Sequence, residues 1–282
     1  MRGKERRTSI LSILLLSISF LLLPLSSYAQ TKIKAPRNFF GIKTDIQAGR
    51  EEAVETEQKA KILRDREVTD YVNRIGQRLV ASIPPEFQHS EFRYTFKVVD
   101  DKDINAFALP GGFVYVNRGM IEAARNEGEL AGVMAHEISH VALRHGTAQV
   151  SSAYPWLIAL GVASAAMGNG KGAEIAEIGG LAALELYFMK FSRKYETQAD
   201  ILGSQIMARA GYDPRDLANV FRLIESKEGS GGPRWLSDHP KPKDRYERID
   251  QEIALLRVNP YPIENVSELN RIQWRLGSRA RS

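Results

Sequence analysis

Apolar and polar positions along the chain change period several times, and each change marks an element. Ile10 to Leu23 is an apolar run of fourteen residues, interrupted only by small serines and ended by Pro24. It falls short of the ~20 residues a membrane-spanning helix needs. From residue 45 to 82 the chain is rich in Glu, Lys, Arg and Ala. Val68, Tyr71, Val72, Ile75, Leu79 and Val80 recur there at helical spacing, so at least the second half is an amphipathic helix. Pro84-Pro85 stops it. Phe92 to Val99 then alternates with a period of two and is rich in aromatic and β-branched residues, as a strand is. Asn105–Leu109 and Phe113–Val116 flank Pro110-Gly111-Gly112, which predicts a hairpin. A short helix follows over 118–124.

Asn126 is a good N-cap for the next helix, with Glu127 and Glu129 in its first turn. Leu130, Met134, Ile138 and Val141 form its buried stripe, and Gly146 is a plausible stop. From Tyr154 to Gly168 the chain is apolar and rich in Ala and Gly. After Gly-Asn-Gly-Lys-Gly a second Ala/Leu-rich segment runs to Phe191, so 153–191 reads as a helical hairpin. It either packs within the fold or contacts a membrane surface or hydrophobic partner. Helices are expected over 193–210, closed by Gly211 with Pro214 beyond, over 217–226, and over 242–257. Gly229 to Pro233 reads as a flexible loop.

The basic start (Arg2, Lys4, Arg6, Arg7), the short apolar run and Ser27-Tyr28-Ala29 fit a cleavable signal peptide over 1–29, the alternative being a retained anchor. Residues 30–60 are a lead-in, 61–258 a single domain and 259–282 a C-terminal tail. The formal charge is +5, of which the first 29 residues hold +3, leaving +2. So small an excess gives no reason to expect a nucleic-acid partner. The chain has no cysteine, which removes disulfides, thiolate metal sites and a lipoprotein anchor.

The candidate chemistry lies at His136-Glu137-Ile138-Ser139-His140. Two histidines four apart share one helix face and can reach one metal ion, with Glu137 beside an activated water. The buried stripe faces the core, and the histidines face a cleft. Hydrolytic zinc has three protein ligands and an open position. Glu196 is the candidate third ligand. Asp200, one turn on, can accept the free ring N–H of a liganding histidine. One Zn2+ per chain is expected, with Glu137 as the base that takes the water's proton. His239 is the candidate donor to the tetrahedral intermediate. Helical phase puts His145 on the opposite face from His136, in a structural role. The longer H-E-x-x-H-x-x-G-x-x-H pattern is absent, since Leu143 and Gly146 stand at its glycine and third histidine. The strand Asn105, Ala106, Phe107, Ala108 can hold an extended peptide along an exposed sheet edge. A binding or chaperone-like module with a structural zinc is the alternative, and Glu137 argues against it.

Asn-Ala-Phe-Ala-Leu-Pro-Gly-Gly, His-Glu-Ile-Ser-His with Arg144-His145, Glu196-x-x-x-Asp200, Gly211-Tyr-Asp-Pro214, and His239-Pro240 followed by Arg245 occur in that order. Over roughly 60–250 the chain resembles the HtpX/BepA-like zinc metallopeptidases, gluzincins of peptidase family M48. The resemblance implies a mainly helical α+β zincin fold with a small β-sheet and a metal-binding active-site helix. It implies zinc held by His136, His140 and Glu196, and catalysis by Glu137. It also implies protein quality control in the cell envelope, in the periplasm or at a membrane, with unfolded or misfolded envelope proteins as substrates and outer-membrane assembly as a possible contact of 153–191. In related proteins the histidine matching His239 can approach the zinc and restrain activity, so His239 is either a donor or a restraining fourth ligand. The long transmembrane helices and the C-terminal repeat domain found in branches of that family are not expected here.

Overall fold

A computed structural model describes residues 30–167, 192–227, 235, 237, 239 and 244–279. The expected signal segment, the second arm of the apolar hairpin and the Gly229–Pro233 loop lie outside the described residues.

In chain order the elements are α1 (Ile42–Lys59), α2 (Arg66–Ala81), a 3-10 turn (Pro85–Phe87), β1 (Thr95–Val99), β2 (Ala106–Leu109), β3 (Phe113–Asn117), α3 (Arg118–Ala123), α4 (Glu127–Ala142), α5 (His145–Met167), α6 (Arg193–Ala210), α7 (Arg215–Ser226), α8 (Arg245–Leu255) and α9 (Val266–Arg279). The architecture is the mainly helical α+β arrangement expected, with a three-stranded sheet ordered β1-β3-β2.

β2 and β3 form the antiparallel hairpin, with Ala106 opposite Val116 and Leu109 opposite Phe113. Gly111 and Gly112 take φ of 80° and 110° in its turn, a region costly for side chains with a Cβ. β1 runs parallel to β3 and begins at Thr95, later than the alternation suggested, because Phe92 is already in a turn closed by its N–H to the His89 carbonyl. The outer edge of β1 is taken by the segment before α2: Ile62 bridges Val99, and the Leu63 N–H donates to the Val98 carbonyl at 2.8 Å. β2 is the edge strand on the other side, and it lies against α4.

α4 is the central element, packed by α2, α6, α7 and β2. Every one of its residues is buried. This corrects the expectation of an apolar stripe on one side and an open cleft on the other. Hydrophobic periodicity locates the apolar side, but it cannot report that other elements cover the polar side too. α4 also ends earlier than Gly146. Arg144 turns the chain with φ of 56°, and α5 starts at the next residue.

α1 packs on the sheet through Ala53, close to Val99 and Tyr115. Its Gly49 lies so near the Pro110 carbonyl that any Cβ there would overlap it. The C-terminal residues, read as a tail, carry α9, whose Leu269, Ile272 and Leu276 are fully buried in the main core. Each such side chain contributes roughly 1.5–3 kcal/mol on burial. Gln273 of α9 donates its amide to the carbonyls of Ile121 and Ala124, at 2.9 and 2.7 Å. Among the described residues no helix is long and apolar enough to cross a membrane.

Candidate active site

The start of α4 is fixed by its own sequence. Asn126 Oδ1 accepts the Glu129 N–H at 2.7 Å, and the Glu129 carboxylate reaches back to the Arg125 N–H at 2.8 Å. These bonds satisfy N–H groups that the first turn leaves without helical partners. Glu127 accepts from the Tyr212 hydroxyl at 2.8 Å and from Asn265 at 2.9 Å. Three turns later α4 presents His136, Glu137 and His140. The facing helix, α6, is capped by the Ser192 side chain and carries Glu196 in its first turn and Asp200 one turn on.

The two helices and His239 bring four donors together: His136, His140, Glu196 and His239, all buried and each offering an atom within 4.8 Å of the others. His136 Nε2 lies 3.1 Å from His140 Nε2, 3.3 Å from His239 Nδ1 and 3.4 Å from Glu196 Oε2. Glu196 Oε1 lies 3.5 Å from His140 Nε2 and 3.2 Å from His239 Nδ1. A tetrahedral centre with bonds of about 2.0–2.1 Å has ligand–ligand edges of about 3.3–3.4 Å. The separations from His136 Nε2 bracket that edge, and Glu196 turns Oε2 to His136 and Oε1 to His140 and His239, so the four side chains could hold one small ion. Glu137 stands beside this cluster, with Oε1 3.4 Å from His239 Nε2 and accepting from Trp235 Nε1 at 3.2 Å.

A second layer surrounds the donors. Asp200 Oδ1 approaches His136 Nδ1 to 3.0 Å, although the two atoms are off-line for a hydrogen bond in this geometry. Arg245 is buried and donates from Nε to Asp200 Oδ2 and from Nη2 to Glu196 Oε2, both at 2.9 Å. Its guanidinium lies over the Phe221 ring, 4.3 Å from the centroid. Trp235 stacks between Phe221 and His239, at centroid distances of 4.9 and 4.7 Å.

His145 is the main correction. Its Nδ1 is 3.0 Å from His140 Nδ1, its Nε2 faces Gln198 Oε1 at 3.2 Å, and its ring stacks on Tyr195. The opposite-face assignment extended the phase of α4 past its end. The left-handed turn at Arg144 brings His145 back against His140. Sequence reasoning also gave no role to Trp235, Gln198 or Tyr195. Arg245 carried a signal only as part of the resemblance.

Burial shapes the electrostatics of the site. Desolvation works against charge on His136, but Asp200 and Glu196 outweigh it and raise its pKa to about 9. Burial, reinforced by the neighbouring rings, holds His140 well below the ordinary histidine range. Burial raises Glu137 above the ordinary carboxylate range. For Glu196 the desolvation penalty is overcome by His239 and His136, and its pKa falls well below the usual value.

On the strand side, Asn105 and Ala106 are buried and Phe107 stacks on Tyr115 with centroids 5.0 Å apart. Ala108, Leu109 and Pro110 line a small cavity that His140, Val141 and Arg144 close from below. The edge strand therefore runs beside α4, and its last residues share that cavity with His140.

The sequence profile of peptidase family M48 matches residues 66–253. The chain is 33% identical over 196 residues to the beta-barrel assembly-enhancing protease of Escherichia coli strain K12, covering 66% of this chain and 39% of that one. It is 30% identical over 194 residues to the mitochondrial metalloendopeptidase OMA1 of Schizosaccharomyces pombe, covering 67% of this chain and 54% of the relative. It is 29% identical over 159 residues to the metalloprotease YcaL of Escherichia coli, covering 56% and 62%. The matched region thus spans about two fifths of the assembly-enhancing protease. The match extends from α2 through nearly all of α8 and contains both helices of the candidate metal cluster: the chain belongs to peptidase family M48.

Proposed function

We propose that this protein is an exported, zinc-dependent endopeptidase acting on unfolded or misfolded proteins of the cell envelope. The observation that carries the reading is the buried cluster of His136, His140 and Glu196, its two ring nitrogens 3.1 Å apart and the carboxylate facing both, with Glu137 alongside. A nitrogen-rich, four-position site suits zinc and not magnesium or calcium, which prefer six or more oxygen ligands. Zinc bound there supplies Lewis acidity and lowers the pKa of a water towards ~7. Glu137 takes the proton of the attacking water and passes it to the leaving amine. Trp235 holds the Glu137 carboxylate in place through its indole N–H. Asp200 and Arg245 orient His136 and Glu196. The edge strand Asn105–Ala108 supplies main-chain groups that hold an extended substrate without demanding particular side chains.

The experiment is proteolysis of an unfolded protein by the wild type and by Glu137→Gln, with zinc content measured for both. Equal zinc and lost cleavage are expected. A wild type that binds zinc and unfolded chains but cleaves nothing would favour the chaperone-like alternative.

A second reading concerns His239. Its Nδ1 stands at ligand spacing from both His136 and Glu196, which supports a restraining fourth ligand over a donor to the intermediate. His239→Ala should then raise cleavage; a fall would favour the donor role. Export rests on the signal-like residues 1–29 and places the protein in the periplasm, where a mature chain starting near Gln30 is expected. For membrane-surface contact through 153–191, the exposed Tyr154 and Ile158 of α5 are the described support.

A further inference from the structure

The two histidines of α4 are steered by different partners. His136 faces the carboxylate of Asp200, whereas His140 faces the ring of His145. The hydrogen-bond roles beyond His145 follow from one end. The Lys34 backbone carbonyl can only accept, so the group 2.7 Å from it is the amide NH2 of Gln198. The other arm of that amide, Oε1, therefore faces His145 Nε2 at 3.2 Å and can only accept in turn. His145 Nε2 must carry a hydrogen. His145 is fully buried, and its ring nitrogens face an amide oxygen and another ring nitrogen, surroundings that hold the neutral ring. Its Nδ1 is then a lone pair, 3.0 Å from His140 Nδ1, and a hydrogen bond between them requires the hydrogen on His140.

We infer that Gln198 and His145 form a relay, anchored on the Lys34 carbonyl, that fixes His140 with Nδ1 protonated and its Nε2 lone pair turned into the metal site. Both are positioning residues and act through His140. The anchor lies in the lead-in ahead of the family match. Gln205, two turns on from Gln198 along α6, donates its amide to the Thr31 carbonyl at 2.9 Å. Residues 31–34 are thus tied along α6 at two points, and one of those ties reaches a metal donor through two side chains. A carboxylate partner, as at His136, would leave its ligand more basic. A neutral histidine fixes the tautomer without adding negative charge.

The inference rests on the reading of His140 as a metal ligand, and the experiment separates the two. Zinc affinity is measured by chelator competition for the wild type, His140→Ala, His145→Phe, His145→Gln and Gln198→Leu. Failure of the wild type to bind zinc, or undiminished affinity in His140→Ala, would remove the ligand reading itself. With that reading intact, His145→Phe keeps a flat ring against Tyr195 but cannot accept from His140, and affinity should fall roughly 10–100-fold. Gln198→Leu, at a partly exposed position, should weaken binding in the same direction. His145→Gln can accept from His140 and donate towards Gln198, and it should recover most of the loss. A role in packing alone would leave zinc affinity of His145→Phe unchanged, or make His145→Gln the worse of the two. The tautomers are read directly on metal-free wild type by two-bond 1H–15N correlation of the five histidines. The Nδ1–H form of His140 and the Nε2–H form of His145 are expected. An Nε2–H form of His140 would overturn the relay, whatever the affinities.

Discussion

Arg245→Leu tests the electrostatic design of the site most directly. The Arg245 side chain has no exposure and its fork spans two carboxylates, Nε to Asp200 and Nη2 to Glu196, each at 2.9 Å. Leucine preserves part of the contact with Phe221 and Trp235 but leaves both carboxylates facing a gap without their cation. Removing one partner of a buried ion pair costs about 3–5 kcal/mol, because the other charge stays desolvated. For a domain of this size each kcal/mol moves the melting temperature about 2–4 °C, so a fall of roughly 6–20 °C is expected in the metal-free protein. Added zinc should recover part of it, since ligand at a hundred times its Kd contributes about 2.7 kcal/mol to the folded state. The control is Arg271→Ala, which removes a largely exposed pair with Glu67 and should cost no more than about 1 kcal/mol. Arg245→Lys keeps the charge but not the fork and should fall between the two. Thermal unfolding followed by far-UV circular dichroism, with and without zinc, is the assay. A metal-free Arg245→Leu melting within 3 °C of wild type, about 1 kcal/mol, would refute the claim that this guanidinium balances the buried carboxylates.

Asn126→Ala removes the cap of α4 and should cost about 1 kcal/mol, read as a lower urea midpoint with unchanged slope. Gly49→Ala forces α1 away from the hairpin turn at Pro110 and should destabilise by about 1–3 kcal/mol; neutrality in urea melts would mean that α1 is not held there. Leu276→Ala should cost about 2–5 kcal/mol and open α9 to limited proteolysis, whereas a true tail would be cut equally fast in the wild type.

What could be read from sequence divides along physical lines. Asn126 with Glu129, and the glycines of the β2–β3 turn, are local signals whose meaning depends on a few neighbouring residues, and the structure repeats them. Glu196 and Asp200 were findable because helical spacing itself puts them on one face. His145 failed because phase arguments presume an unbroken helix, and no residue type announces the left-handed Arg144. Trp235 and Arg245 act across gaps of 98 and 45 residues, where no period connects them to their partners Glu137 and Asp200. α9 did carry a legible signal: Leu269, Ile272 and Leu276 fall at i, i+3 and i+7. Its position after the last recognisable motif made it look like a tail.

Charge balance explains why so polar a cluster can lie at the centre of the core. Glu137, Glu196 and Asp200 would bring three negative charges into a region of low dielectric, and Arg245 cancels one. A site left with the remaining two would be strongly disfavoured. Around these carboxylates the acidic neighbours raise the pKa of His136 to about 9, burial raises that of Glu137, and His239 with His136 lowers that of Glu196. A divalent ion held by His136 and His140 would add two positive charges beside these carboxylates. The burial of Glu137, Glu196 and Asp200 around Arg245 therefore favours a further positive charge among them, as the donor spacing favours a small ion.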